Sequence, residues 1–303
     1  MKKAIESTKD SHLCPMLQWS KGKSYMLASA CFYAVLNVCV KQLSYIPAME
    51  LIFFRAAISF VLCAWGIQRA GVYFFGKNHK WLLIRGSTGI VALWLYFNTI
   101  QKMPLASAVA IQYTSPIFAA LFAVFILGEK MSYWKWLFFL LSMAGVFLIK
   151  GFDTRVSFEL LFSGIFAASL SGLAYNAVRK LNVSEHPLVI ILYFPMMALP
   201  IAGTYSYFNW IDPHGLDWIL VLLMGLATQA GQYCMTRAIQ LEKLESVTFL
   251  NYAGILFALV LGFLIYNEGF DWISGTGIAM VGGGILLNLI EKKPVVRVEK
   301  TKS

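Results

Sequence analysis

The sequence predicts an all-α membrane protein: ten transmembrane helices, arranged as two inverted repeats of five. Three observations predict this. Apolar residues make up 59% of the 303 residues and charged residues only 13%, too little polar surface for a soluble chain of this length. The apolar residues gather into ten runs of about 20, the length a helix needs to cross roughly 30 Å of hydrocarbon. Finally, the chain repeats itself at a constant offset of 139 residues without a gap. Asn37 meets Asn176, Lys41 meets Lys180, Gly86 meets Gly225, Gln101 meets Gln240, Tyr113 meets Tyr252 and Glu129 meets Glu268. Such polar types are scarce inside apolar segments, so these matches outweigh those of Ala or Leu. Five segments per half is an odd number, so the second half enters the membrane upside down, an arrangement that places a binding site between the halves near the midplane.

The segments follow in order. A polar, charged tail over 1–23 is read as cytoplasmic; it has no signal-peptide pattern. The first repeat, 24–151, holds runs near 24–43, 48–68, 80–101, 104–127 and 133–150. Gly151 to Arg155 separates the halves. The second repeat, 157–291, holds runs near 158–180, 187–208, 217–238, 244–267 and 272–291, and a basic tail closes the chain over 292–303. Links such as Leu43 to Ala48 and Gln101 to Pro104 are short and force neighbouring helices to be antiparallel. No strand alternation is present. Gly164, Ala168 and Gly172 in the sixth run, and Gly275, Ala279 and Gly283 in the tenth, form stripes of small residues that let backbones approach closely, in helix packing or in a dimer. Monomer and homodimer both stay open.

The net charge of +10 raises the question of nucleic acid, but its distribution answers otherwise. With the N-terminus inside, the cytoplasmic segments carry most of the lysines and arginines, among them Lys77, Lys80, Lys130, Arg179, Lys180, Arg237 and Lys292, with Arg85 assigned to the same side. The outer side has Lys41, Arg55, Lys102, Lys150 and Arg155. This positive-inside bias predicts an inner-membrane protein with both termini cytoplasmic, its basic charge facing anionic lipid and not nucleic acid. The cysteines, Cys14, Cys31, Cys39, Cys63 and Cys234, are odd in number and form no CxxC; they read as reduced. The histidines lie in tails and loops without metal-ligand spacing. No metal or cofactor is expected, and the absence of a nucleotide-binding loop excludes ATP as the driving force.

From Met103 to Ala108, through Tyr113-Thr114-Ser115-Pro116-Ile117-Phe118, to Gly128-Glu129-Lys130, the chain resembles the EamA family of the drug/metabolite transporter superfamily. The resemblance covers about 24–290 and takes in Asn37, Lys41 and the Pro47 to Arg55 entry of the second segment. Ile255 stands where the family has a second proline, equivalent to Pro116. The resemblance implies a secondary carrier, often an exporter of amino acids or other small metabolites, with a central cavity lined from both halves.

Polar groups inside hydrocarbon are costly and each needs a partner, water or a ligand. Tyr33, Asn37 and Lys41 form a stripe on the first segment, which Asn176 and Lys180 mirror on the sixth. Lys41 is a gate charge or a snorkelling lysine. Gln112 and Tyr113, with Asn251 and Tyr252 at the equivalent place, are expected to ring a central cavity, joined by Asn37, Asn176, Trp94, Asn98, Gln229, Gln232 and Tyr233. Arg55 lies about two turns inside its helix; Glu50, five residues away, is on another face. Its partner is another helix, an anionic substrate group, or the outer surface by snorkelling. No carboxylate falls mid-membrane, which argues against an ion pump. The expected function is alternating-access transport of a small polar or amphipathic metabolite of amino-acid or organic-acid type, with export the expected direction. A lipid-linked flippase of the same superfamily is the alternative. A membrane enzyme would need catalytic groups at one depth, and none is found.

Overall fold

The computed structural model describes residues 20–128, 133–152, 156–181, 184–241, 250, 253–269 and 272–290. Among them the chain forms eleven helices and no strand. They are α1 (Lys21–Gln42), α2 (Ala48–Ala70), α3 (His79–Lys102), α4 (Leu105–Gln112), α5 (Ser115–Leu127), α6 (Tyr133–Phe152), α7 (Phe158–Leu181), α8 (Pro187–Phe208), α9 (Asp217–Leu241), α10 (Ala253–Tyr266) and α11 (Trp272–Ile290). Six spans are long and apolar enough to cross a membrane among the described residues: α1, α2, α4 with α5, α7, α8 and α9. That is fewer than the ten expected. The apolar run of α3 is interrupted by Arg85 and Asn98, and α10 is described over only 14 residues. Large apolar side chains such as Trp65, Phe125, Phe263 and Trp272 point outward, as a lipid-facing surface requires.

Neighbouring helices alternate in direction, so the bundle has a near end, where α1 begins, and a far end, where α1 stops and α2 starts. The most extensive packing joins α1 to α9, α3 to α7, α2 to α8 and α6 to α11. Under the 139-residue offset α1 maps onto α7 and α3 onto α9, so the first two pairs exchange, and the last two map onto themselves. The helix ends follow the same rule. Gly128 closes α5 with a φ of 67°, and its offset mate Asn267 closes α10 with a φ of 49°. Gly and Asn are the residues that accept this left-handed cap at least cost.

The fourth apolar run, expected as one helix, is broken at Tyr113 and Thr114. Pro116 is the cause. It has no N–H for the Gln112 carbonyl, and its ring crowds that group. Asn251 and Tyr252, the offset mates of Gln112 and Tyr113, lie outside the described residues, while Ile255 is helical and buried in α10.

The sixth-segment stripe is a close-packing surface. A Cβ on Gly172 would stand 2.7 Å from the Ala119 nitrogen and 2.8 Å from Phe118 Cβ, and one on Gly164 would meet Ile111 Cγ2 at 3.0 Å. In the tenth-segment stripe, a Cβ on Gly275 or Gly283 would meet nothing within 4 Å. Gly172→Ala is therefore expected to lower stability by about 1–3 kcal/mol, because backbone cannot move aside as a side-chain tip can. Gly275→Ala should leave it unchanged. Thermal unfolding of the two variants in detergent checks the contrast.

Candidate functional site

A cavity of about 150 Å³ lies in the middle of the bundle, walled by α1, α2, α3, the α4–α5 break, α7, α8 and α9. The helix break itself lines it, through Gln112, Tyr113 and Ser115. α1 contributes Tyr33 and Asn37, α3 contributes Arg85 and Tyr96, α7 contributes Ser171 and Tyr175, and α9 contributes Gln232. Tyr96 donates to Asn37 Oδ1 at 3.3 Å, and Gln112 Nε2 donates to Ser171 Oγ at 2.9 Å. Among the described residues Gln112 Oε1 is buried with no partner, and the Tyr33 hydroxyl has only the Met235 sulfur, at 4.0 Å, a weak acceptor. The Tyr113 phenol packs on α10, where a Cβ on Gly254 would stand 2.0 Å from its oxygen; the site needs glycine there.

Arg55 reaches the cavity from α2 and is 3% exposed, so it does not snorkel to the surface. Its guanidinium lies over the Phe194 ring, 4.9 Å from the centroid, and 5.9 Å from that of Phe97. Neither ring neutralises it. Among the described residues it has no ion-pair partner, and its Nε is unbonded. Glu50 is turned to the far-end loop, where Oε2 accepts from the Ile211 N–H at 3.1 Å. Arg85 also lines the cavity, with its Nε unbonded among the described residues, a place not expected for it from its position near the end of α3. A Cβ on Gly89 would stand 2.6 Å from Arg85 Nη1 and 3.2 Å from Phe194 Cδ2, so the missing side chain makes room for the guanidinium beside that ring. Uncompensated arginine in a membrane core costs about 2.5–3.5 kcal/mol on insertion scales. Among the described residues, these two arginines share one cavity with no acid in its lining.

Five expected site residues are elsewhere. Trp94 is 40% exposed on the outer surface, and Asn98 donates to its own helix at the Trp94 carbonyl, 2.8 Å away. Gln229 bridges α9 to α2, accepting from Ser59 at 2.5 Å and donating to Cys63 Sγ at 3.1 Å. Tyr233 lines an outer apolar groove with Phe32 and Trp65. Asn176 is buried outside the cavity and donates to the Ala119 carbonyl at 2.8 Å, tying α7 to α5. Helical periodicity puts polar residues on a helix without saying which neighbour faces them, so these amides serve as helix braces. Arg85, Tyr96 and Tyr175 were not among the expected residues. Arg85 carried a usable signal: it is six residues inside α3, nearly as deep from the near end as Arg55 is from the far end.

The far end is tied across the two halves. Lys41 Nζ donates to the Met103 carbonyl at 2.9 Å and pairs with Glu268, whose Oε2 accepts from the Leu105 N–H at 2.8 Å. Tyr266 donates to the Val38 carbonyl at 3.0 Å, and Tyr45 donates to Asp217 at 2.5 Å. Burial, then the bond to Asp217, raises the Tyr45 phenol above its usual pKa. At the near end Glu185 accepts from the N–H groups of Lys77 and Asn78, both at 2.6 Å. No metal-binding cluster occurs among the described residues, where Cys31, Cys39, Cys63 and Cys234 are free thiols; Cys14 lies outside them.

The model of the EamA-like transporter family matches residues 20–151 and again 158–290. The chain belongs to the EamA-like transporter family. It is 31% identical over 265 residues to the pseudopaline exporter CntI of Pseudomonas aeruginosa, covering 86% of this chain and 91% of that one. It is 30% identical to mouse solute carrier family 35 member G1, over 86% of this chain and 74% of that one. A riboflavin transporter of Vibrio cholerae matches at 21% identity, over 88% and 90%. A solved crystal structure superposes with a TM-score of 0.68, covering 89% of this chain and 96% of the other at 15% identity, a likeness of fold alone. This EamA-like protein is thus a multi-pass membrane transporter for a small molecule, and not an enzyme.

Proposed function

We propose that this EamA-like chain is a ten-helix secondary carrier built from two inverted repeats, over 24–151 and 157–291. It moves a small polar or amphipathic metabolite of amino-acid or organic-acid type across the inner membrane by alternating access, outward, with both termini cytoplasmic. The observation that carries this reading is the mid-bundle cavity at a broken helix, lined by Arg55, Arg85 and Gln112, each with a polar atom that lacks a hydrogen-bond partner among the described residues; such a place is where secondary transporters hold their substrates. The exchange of helix pairs under the 139-residue offset supports the inverted repeat. In the conformation described, the far end is held by Lys41 and Glu268. Transport requires that this contact break as the site turns to the other side. The pseudopaline exporter supports export; a relative at 22% identity is named as an S-adenosylmethionine uptake transporter.

The substrate contacts in this reading are Asn37, Gln112, Tyr113 and Arg55, with Asn251 and Tyr252 as equivalents from the second half. Cavity size favours a metabolite over a lipid-linked molecule, since about 150 Å³ falls below the roughly 300–1,000 Å³ of drug-sized pockets. The outer apolar groove shares no lining residue with the cavity among the described residues, which favours the metabolite over a lipid-linked molecule.

The test is an untargeted comparison of metabolites inside and outside cells that lack or overproduce the protein. One small metabolite should accumulate inside on deletion and outside on overproduction. If neither strain differs from the parent in any metabolite, the carrier reading fails.

A further inference from the structure

Arg55 and Arg85 approach the cavity from opposite ends of the bundle. Arg55 is seven residues from the far end of α2 and Arg85 six residues from the near end of α3. At 1.5 Å per residue, their α-carbons are on the order of 15 Å apart along the bundle axis. Both side chains border Phe194, Arg55 over its ring and Arg85 in the space left by Gly89. Among the described residues neither has an ion-pair partner, and no acid lines the cavity. A single carboxylate would leave one guanidinium uncompensated in a low-dielectric space. A molecule with an anionic group at each end would engage both, and planar guanidinium forks match carboxylates bidentately. The Tyr33 hydroxyl adds a donor without a strong acceptor of its own, and the ring of Phe194 lies against the apolar stretch between the charges.

We propose that the central cavity binds a small organic dianion, one carboxylate on Arg55 and the other on Arg85. This rests on the carrier reading above and adds the substrate class.

The experiment is thermal unfolding of the purified full-length protein in detergent with millimolar succinate, glutarate, butyrate, succinamide or putrescine. A ligand that binds only the folded state raises the unfolding temperature in proportion to its affinity. Succinate or glutarate should raise it most, butyrate less, and the uncharged diamide and the diamine not at all. Arg55→Gln and Arg85→Gln should each weaken dianion binding about tenfold or more, the loss of one charged hydrogen-bonded contact. Without ligand they should unfold no earlier than wild type, because an unpaired buried charge has been removed; a purely structural arginine would lower that temperature. Gly89→Ala removes no charge but takes the space Arg85 uses, and should weaken dianion binding as well.

The inference is overturned if neither dianion stabilises the protein, if succinamide or putrescine does so better, or if the arginine variants bind as wild type does. Export of a zwitterion or cation in the metabolite comparison, with no response to dianions here, removes the dianion and leaves the carrier. No metabolite change in that comparison removes the carrier itself.

Discussion

Arg55→Lys is expected to cut transport of the metabolite found in the export comparison by about ten- to a hundredfold, with membrane abundance close to wild type. The substitution keeps the positive charge, so net electrostatics and the number of buried cations stay constant. What it loses is the planar fork and its paired donors. Hydrogen bonds between charged groups contribute about 1.5–3 kcal/mol each, and the loss of one such contact gives the range stated. The lysine also leaves the Phe194 face, 4.9 Å from the present guanidinium, because an ammonium on a flexible stem does not stack on a ring as guanidinium does. Initial rates in everted vesicles, normalised to protein in the membrane, decide the matter. Normal transport by Arg55→Lys at normal abundance would mean that charge alone suffices there, and the bidentate role would be lost.

Glu268→Ala is expected to destabilise the protein by about 3–5 kcal/mol, the usual consequence of removing one partner from a buried ion pair. Three groups depend on this carboxylate: the Lys41 ammonium, the Leu105 N–H and, through the left-handed turn at Asn267, the end of α10. Lys41 would keep the Met103 carbonyl and the face of the Tyr266 ring, neither of them an anion. Glu268→Gln should cost less, because its amide oxygen can still accept from Leu105. Lys41→Met should also cost less than Glu268→Ala, since the carboxylate retains Leu105 as donor. The order is checked by thermal unfolding of the three variants without ligand. If Glu268→Ala unfolds with wild type, the pair contributes nothing to the far-end closure. The same variants test the mechanism, because a weakened far-end contact should shift the carrier toward the state open on that side. A cysteine introduced near the far end of α1 would then react faster with a membrane-impermeant maleimide.

The sequence carried the helical class, the membrane setting, the family and the offset that relates the halves. Each depends on patterns within single segments: apolar length, scarce polar types, and Pro and Gly at helix ends. Gln112, Tyr113, Asn37 and Arg55 were legible as unusual because a polar residue inside an apolar run is expensive wherever it faces. The small-residue stripe of α7 was legible for the same reason, since close packing needs Gly164 and Gly172 whatever the partner.

Which way those residues face was a tertiary matter. Asn176 and Gln229 hydrogen-bond to neighbouring helices, and Trp94 lies outside, because the rotation of each helix about its axis is set by packing against the others. Arg85 was marked by its depth, six residues inside a helix, but that it faces the cavity was visible only once Gly89 and Phe194 were seen beside it. Lys41 could gate or snorkel until Glu268, 227 residues later, arrived beside it. Sequence by itself thus determined which groups would be costly in the membrane. Only the folded bundle decided which of them found a protein partner and which, Arg55 and Arg85, were left facing a cavity. Partnering depends on contacts between helices far apart in the chain, which no local pattern encodes.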